Sequence, residues 1–161
     1  MLSLCLVALS LTLPVDKEFH PSYANKFMGG APTKVKNCMR LAQLAKEMDA
    51  PVTLVLAIAS RETGFKSGLV SSAGARGLLG VMPSNMRGRD KSAKLAWERR
   101  GIEILKFLLD YKTNLCDALA YYNAGGNGSC NGIGGRYAAS VMDRQTKLCL
   151  ATGLDKDCTS C

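Results

Sequence analysis

The sequence has little of several features that would assign it to common functional classes. Among its 161 residues His20 is the only histidine, which disfavours a zinc site. No strand-length stretch alternates polar and apolar residues, and no period of 20–50 residues repeats. Basic and aromatic residues are not interleaved, which argues against a nucleic-acid surface. The apolar segment at residues 2–13 is too short to cross a bilayer.

Length and charge limit the number of domains and the kinds of binding partner. A chain of 161 residues fits one domain with a sizeable core. Its formal charge is +8, from 21 Lys and Arg against 13 Asp and Glu, which favours an anionic partner. A cell-wall polymer, a nucleic acid and a membrane surface are all anionic, so charge alone does not choose among them.

The N-terminal apolar segment resembles the hydrophobic core of a secretory signal. Positive residues in front of it are missing, and Ser10 and Ala24 are both candidates for the cleavage site. We therefore expect a signal peptide or N-terminal arm at residues 1–24 and a single domain at residues 25–161. The alternative is that residues 2–13 form a helix or strand of the fold itself.

Cysteine usage is consistent with export. With Cys5 assigned to the leader, an even set remains that could form three disulfides in fifteen connectivities: Cys38, Cys116, Cys130, Cys149, Cys158 and Cys161. The closing CTSC run lies in a polar tail, where a structural bridge is favoured over metal binding or thiol exchange. Cys38 and Cys116 lie within apolar helical stripes and are the two most able to stay reduced.

Helical periodicity covers most of the chain. Apolar residues recur every three or four positions from Thr33 to Asp49, from Ser92 to Tyr111, from Asn114 to Asn123 and from Tyr137 onward. The run from Pro51 to about Thr63 is apolar on nearly every side, which predicts a buried central helix. The expected fold class is therefore all-α. The glycine-rich residues 127–135 follow no strand and lack Gly-Lys-Ser, so they do not predict a phosphate site.

Glu62 is placed unusually for an acidic residue. It continues the apolar stripe of Val55 and Ile58 at the C-terminal end of the central helix. Desolvation and the helix dipole there both favour the protonated carboxyl. A carboxyl that is neutral near pH 7 suits a general acid for glycosidic bond cleavage.

Four motifs in order resemble the lytic murein transglycosylase (SLT) domain of the goose-type lysozyme superfamily. They are ETGF at residues 62–65, Ser71 with GARGLL at residues 74–79, MP at residues 82–83 and AYYNAG at residues 120–125. The resemblance covers roughly residues 35–141. It implies a lysozyme-like helical bundle with a substrate cleft, no cofactor, no metal, and a monomer that is exported to the periplasm or secreted.

The resemblance also implies roles for individual residues. Glu62 would be the single catalytic residue, and Ser71 would hydrogen-bond its carboxyl or the sugar. Met82 would line the cleft together with Asn123, and Tyr122 would reach the catalytic carboxyl. The implied substrate is the peptidoglycan glycan strand, cleaved between N-acetylmuramic acid and N-acetylglucosamine with formation of a 1,6-anhydro ring. Nucleic acid is not an expected partner.

Two positions depart from the family pattern. Gly80 stands where the family usually has a glycan-contacting Gln, and Trp97 where it usually has Asn. Both bear on substrate affinity or subsite preference more than on the reaction.

The alternatives to a lytic transglycosylase are a goose-type lysozyme that hydrolyses the bond, and a non-catalytic wall-binding protein. The sequence does not decide whether the source is a bacterium or a phage. It also does not decide whether the protein works with a secretion, conjugation or phage assembly.

Overall fold

The computed structural model describes residues 1–12 and 31–152, which form six α-helices and two short 3-10 helices. Their bounds are α1 Leu2–Ser10, α2 Ala31–Glu47, α3 Val52–Glu62, α4 Ala96–Tyr111, α5 Leu115–Ala124 and α6 Gly135–Thr152, with 3-10 turns at Pro83–Met86 and Gly125–Asn127. The prediction of an all-α fold is confirmed. Within the described residues, no helix has both the length and the apolar character needed to cross a membrane.

Helix α3 lies at the centre of the bundle, as its all-round apolarity predicts. All of its residues from Thr53 to Ser60 are buried. Helices α1, α2 and α6 pack around it, and α5 packs between α6 and α4. The core formed in this way holds the C-terminal end of α3 in a fixed place, and Glu62 is its last residue.

The helix boundaries differ from the predicted ones where local backbone geometry intervenes. Helix α4 begins at Ala96 rather than near Ser92, because Leu95 is left-handed with φ of 58°. Ser92 instead donates its N–H and its hydroxyl to the Asp90 carboxylate. Helix α5 starts where expected, because the Asn114 side chain caps it by accepting the Asp117 N–H at 2.8 Å.

Helix α1 packs in the core of the structure, which brings Cys5 into the set of disulfide-bonded cysteines from which the sequence analysis left it out. The signal peptide at residues 1–24 stays a prediction. Leu4, Cys5, Ala8 and Leu9 are all buried. Cys5 forms a disulfide with Cys38 of α2. A short apolar helix has the same composition in a signal sequence and in a core. The proposed boundary at Ala24 lies outside the described residues.

Cys38 and Cys116 are both disulfide-bonded, so the expectation that they could stay reduced is wrong. Cys116 at the start of α5 pairs with Cys130 in the glycine-rich loop. The Cys130 N–H also donates to the Asp117 carboxylate at 2.7 Å. Cys149 is disulfide-bonded as well, whereas the predictions for Cys158 and Cys161 lie outside the described residues.

The two described disulfides should differ in their contribution to stability. Cys5 and Cys38 are 33 residues apart and Cys116 and Cys130 are 14 apart. In the chain-entropy account, the longer loop stabilises the fold by about 0.8 kcal/mol more. We expect the Cys5→Ala/Cys38→Ala protein to lose more free energy of unfolding in urea than Cys116→Ala/Cys130→Ala. The opposite ranking would show that α1 does not depend on its disulfide.

Candidate active site

Glu62 lies at the wall of a cavity of about 240 Å³. The cavity opens between the end of α3, the loop that joins α3 to α4, and helix α5. All of the predicted site residues line it: Glu62, Ser71, Met82, Tyr122 and Asn123. The structure therefore brings together five residues that are spread over 62 positions of the sequence, and their individual roles stay predictions.

The environment of Glu62 favours its protonated form. Partial burial removes water from the carboxyl, and this desolvation raises its pKa above the ordinary glutamate value. The Tyr137 phenol and the Arg61 guanidinium act in the opposite direction, because both stabilise the carboxylate. Desolvation is the largest effect, so the direction agrees with the expectation from the sequence.

Tyr137 is the tyrosine that acts directly on Glu62. Its ring is buried in the first turn of α6, and the Arg61 guanidinium lies over it at 5.8 Å from the centroid. Burial, together with the Glu62 charge, holds the pKa of Tyr137 far above its usual range. Its hydroxyl faces the carboxyl closely enough to lower the pKa of Glu62, but it forms no hydrogen bond of regular geometry. Contacts of this kind often tighten only when substrate binds.

Tyr122 has a different hydrogen-bond partner from the one that the resemblance implied. Its hydroxyl donates to the Leu79 carbonyl at 2.8 Å rather than to Glu62. The Tyr122 side chain still lines the Glu62 cavity, and its pKa is raised by burial and by the Glu62 charge. Tyr122 therefore holds the turn opposite Glu62, and the phenol next to the carboxyl is Tyr137.

The turn at residues 76–81 fits directly against the carboxyl. Arg76 and Val81 exchange two backbone hydrogen bonds of 2.8 Å, which close the turn. Gly80 lies inside it with φ of +64°, and a Cβ at this position would be 2.7 Å from Glu62 Oε2. The positive φ favours glycine, and a larger residue here would require the Glu62 carboxyl to shift. The departure at Gly80 thus has a steric reason that the sequence alone does not show.

The first residues of α4 support this turn from behind. The Leu78 N–H donates to the Glu98 carboxylate at 3.0 Å. Trp97 packs against Gly77, where an added Cβ would be 2.7 Å from the Trp97 Cβ, and the Arg76 guanidinium lies over its ring. The second departure from the family pattern, Trp97, is therefore a packing residue of the turn.

Ser71 closes the loop on the other side of the cavity. Its hydroxyl oxygen accepts the Ala75 N–H at 3.0 Å, and its backbone N–H donates to the Ala75 carbonyl. The structure shows no hydrogen bond from Ser71 to Glu62. Because a serine hydroxyl also has a proton to donate, Ser71 can contact a sugar without opening its turn.

Among the described residues that line its cavity, Glu62 is the only one with a carboxyl group. Three aspartates on neighbouring elements have other partners: Asp90 binds Ser92, Asp117 binds Asn114 and Cys130, and Asp143 forms an ion pair with Lys147. No group of three His, Cys, Asp or Glu that could hold a metal ion occurs in the part of the chain that the structure describes.

Comparison with known protein families gives a match over most of the chain. Residues 39–141 match the model of the transglycosylase SLT domain. The chain belongs to the SLT family. The bundle is therefore lysozyme-like, and the family acts on peptidoglycan outside the cytoplasm. No solved structure matches the chain.

Sequence reasoning missed Tyr137 as a neighbour of the carboxyl. The sequence predicts it only as the start of a final helix. The available sequence signal was a tyrosine at the start of the apolar stripe of the last helix. Which ring reaches Glu62 depends on how α5 and α6 pack together, and periodicity does not encode that packing.

A Gly80→Ala substitution should lower activity by displacing the Glu62 carboxyl. The added methyl group would overlap Oε2, so we expect at least a tenfold slower release of soluble fragments from purified sacculi, since each 1.36 kcal/mol of lost transition-state stabilisation is tenfold. Gly88→Ala is the matched control, because Gly88 also has positive φ (+70°) but nothing within 4 Å of its Cβ position. Equal activity of the two variants would refute the steric explanation.

Tyr137→Phe should raise the pKa of Glu62. The phenol stabilises the carboxylate, so its removal shifts titration of the carboxyl to higher pH and moves the alkaline limb of the activity profile the same way. Titration of the Glu62 carboxyl carbon by NMR measures this shift. Tyr122→Phe should shift it less, because that hydroxyl is bonded to Leu79. A larger shift for Tyr122→Phe would reverse the assignment.

Proposed function

We propose that the protein is a lytic transglycosylase that cleaves the bond between N-acetylmuramic acid and N-acetylglucosamine and leaves a 1,6-anhydro end. The observation that supports this most is the solitary carboxyl. One acid with a raised pKa lines the cavity, and no second carboxyl lines it within residues 1–12 and 31–152. Glycosidases that use water ordinarily need two carboxyl groups.

In the proposed reaction Glu62 acts first as an acid. Its proton passes to the bridging oxygen while the bond from that oxygen to C1 of the muramic sugar breaks. The raised pKa favours the protonated carboxyl that this step needs. The N-acetylglucosamine portion leaves with a new hydroxyl group, and Glu62 is left as a carboxylate.

Glu62 then acts as a base on the same sugar. The carboxylate takes the proton of the C6 hydroxyl, and the C6 oxygen bonds to C1 and closes the anhydro ring. The proton returns to Glu62, so no water is consumed and the carboxyl is ready for the next cycle. Tyr137 and Arg61 favour the carboxylate that exists between the two steps.

The other cavity residues would position the strand. Asn123 and Ser71 are exposed and carry groups that can hydrogen-bond to sugar hydroxyl and N-acetyl groups. Met82 offers an adaptable apolar surface next to them. Tyr122 would act indirectly, because its bond to the Leu79 carbonyl fixes the turn against which Glu62 packs.

We also propose that the protein works outside the cytoplasm. Its substrate class lies there, and disulfides form and persist mainly in oxidising compartments. The positive charge of +8 favours attraction to an anionic cell wall.

Glu62→Gln tests the mechanism. The variant should release fragments from sacculi ~10²–10⁴-fold more slowly, because the amide can neither give nor take the proton. Mass spectrometry of the wild-type products should find anhydro ends, each lighter by one water than a hydrolysed end. Hydrolysed ends would indicate a lysozyme-type reaction. Binding to sacculi without fragment release by the wild type would indicate a non-catalytic wall-binding protein.

The same variant has a readout that is independent of activity. Because the folded-state pKa of Glu62 is raised, the folded protein binds more protons than the unfolded chain, and stability falls as pH rises through that pKa. Gln cannot ionise and avoids this loss. The melting temperature of Glu62→Gln should therefore exceed that of the wild type at about pH 8, with a smaller difference at about pH 4. A difference independent of pH would contradict the buried-acid assignment.

A further inference from the structure

A second cavity of about 790 Å³ continues from the Glu62 cavity. The two cavities share five lining residues: Met82, Asn85, Ile104, Tyr122 and Asn123. They are therefore parts of one groove. Glu62 lies in the smaller part, and the larger part extends along α4 and α5, away from the residues to which the reaction assigns roles.

An exposed aromatic ring of α4 lines the larger part of the groove, and a second ring stacks on it. Phe107 lines the groove and is 62% exposed, and Tyr111 is 63% exposed. Their rings lie nearly parallel, at 10° with centroids 5.5 Å apart. Ile104 lines both cavities, and Phe107 lies three residues further along α4, about 4.5 Å along the helix axis. The exposed rings thus begin one helical turn beyond the Glu62 cavity.

The opposite wall adds a third ring. Tyr121 of α5 lines the same cavity. The Lys112 ammonium lies 4.2 Å from the Tyr121 centroid and 5.1 Å from the Tyr111 centroid, so it connects the rings of the two helices. Such contacts restrain the rings, and a restrained flat surface loses little conformational freedom when a ligand binds.

The polar groups of the groove suit a sugar polymer. Arg100 and Glu103 are ion-paired at 3.1 Å on the same helix face, and Glu103 also pairs with Arg89. Exposed apolar rings beside a few fixed polar groups match a pyranose ring, which has apolar C–H faces and hydroxyls at its edge. The electron-rich face of an aromatic ring attracts the positively polarised hydrogens of such a C–H face.

We propose that Phe107, backed by Tyr111, forms a distal subsite that stacks on an N-acetylated sugar ring of the glycan strand. The occupant follows from the continuity of the groove, because a strand cleaved at Glu62 and extending along α4 must pass these rings. This inference rests on the proposed function, since it assumes that the strand lies in the Glu62 cavity.

The test uses glycan fragments of two, four and eight sugars prepared from sacculi. For the wild type, kcat/KM should rise with fragment length. In Phe107→Ala, KM for the longest fragment should rise about threefold to tenfold with kcat unchanged, while the shortest cleaved fragment is unaffected. Phe107→Leu should lose as much as Phe107→Ala, and Phe107→Trp should keep the gain, because stacking needs a flat ring.

Leu150→Ala is the matched control. Leu150 is 82% exposed on α6 and lines neither cavity, so its removal should change neither constant. An unchanged length dependence in Phe107→Ala would overturn the subsite while leaving the proposed function intact. If the wild type cleaves nothing, titration of the N-acetylglucosamine hexamer into the wild type and Phe107→Ala still decides: weaker binding by the variant supports the subsite, and equal binding overturns it.

Discussion

The contact between the Glu62 carboxyl and the backbone of Gly80 is the constraint on which the rest of the site depends. The carboxyl lies so close to the turn that a Cβ at position 80 would be 2.7 Å from Glu62 Oε2, and the carboxyl would have to shift to make room for it. This close fit excludes water and contributes to the desolvation that raises the pKa of Glu62. A loose turn would let water in, and the carboxyl would then return toward ordinary acidity.

The fold keeps this contact by fixing both of its partners. Burial of α3 among α1, α2 and α6 fixes Glu62. The turn that contains Gly80 is held from three directions, by Glu98 through the Leu78 N–H, by Tyr122 through the Leu79 carbonyl and by Thr63, which donates its hydroxyl to the Leu78 carbonyl. These bonds come from α4, α5 and the end of α3, so the position of the turn depends on three helices of the bundle.

The sequence predicted those parts of the structure that depend on local pattern. Periodicity predicts the central burial of α3 and the existence of α5, which ends within the AYYNAG run. The ordered motifs predict the group of residues around Glu62. Features that depend on packing between distant segments were not predictable in this way. The choice of Tyr137 over Tyr122 depends on helix packing, and the pairing of Cys5 with Cys38 depends on where a short apolar helix docks.

The departure from the family pattern at Gly80 is interpreted differently once the structure is known. Read as a pattern, Gly80 is the loss of an amide that would contact the glycan. In the structure the missing side chain lets the acid approach the turn closely, so a side chain restored there would require the Glu62 carboxyl to shift. Contacts with the strand must then come from other surfaces of the groove. Helix α4 provides one, because it supports the turn through Trp97 and Glu98 at its start and exposes Phe107 about 15 Å further along its axis.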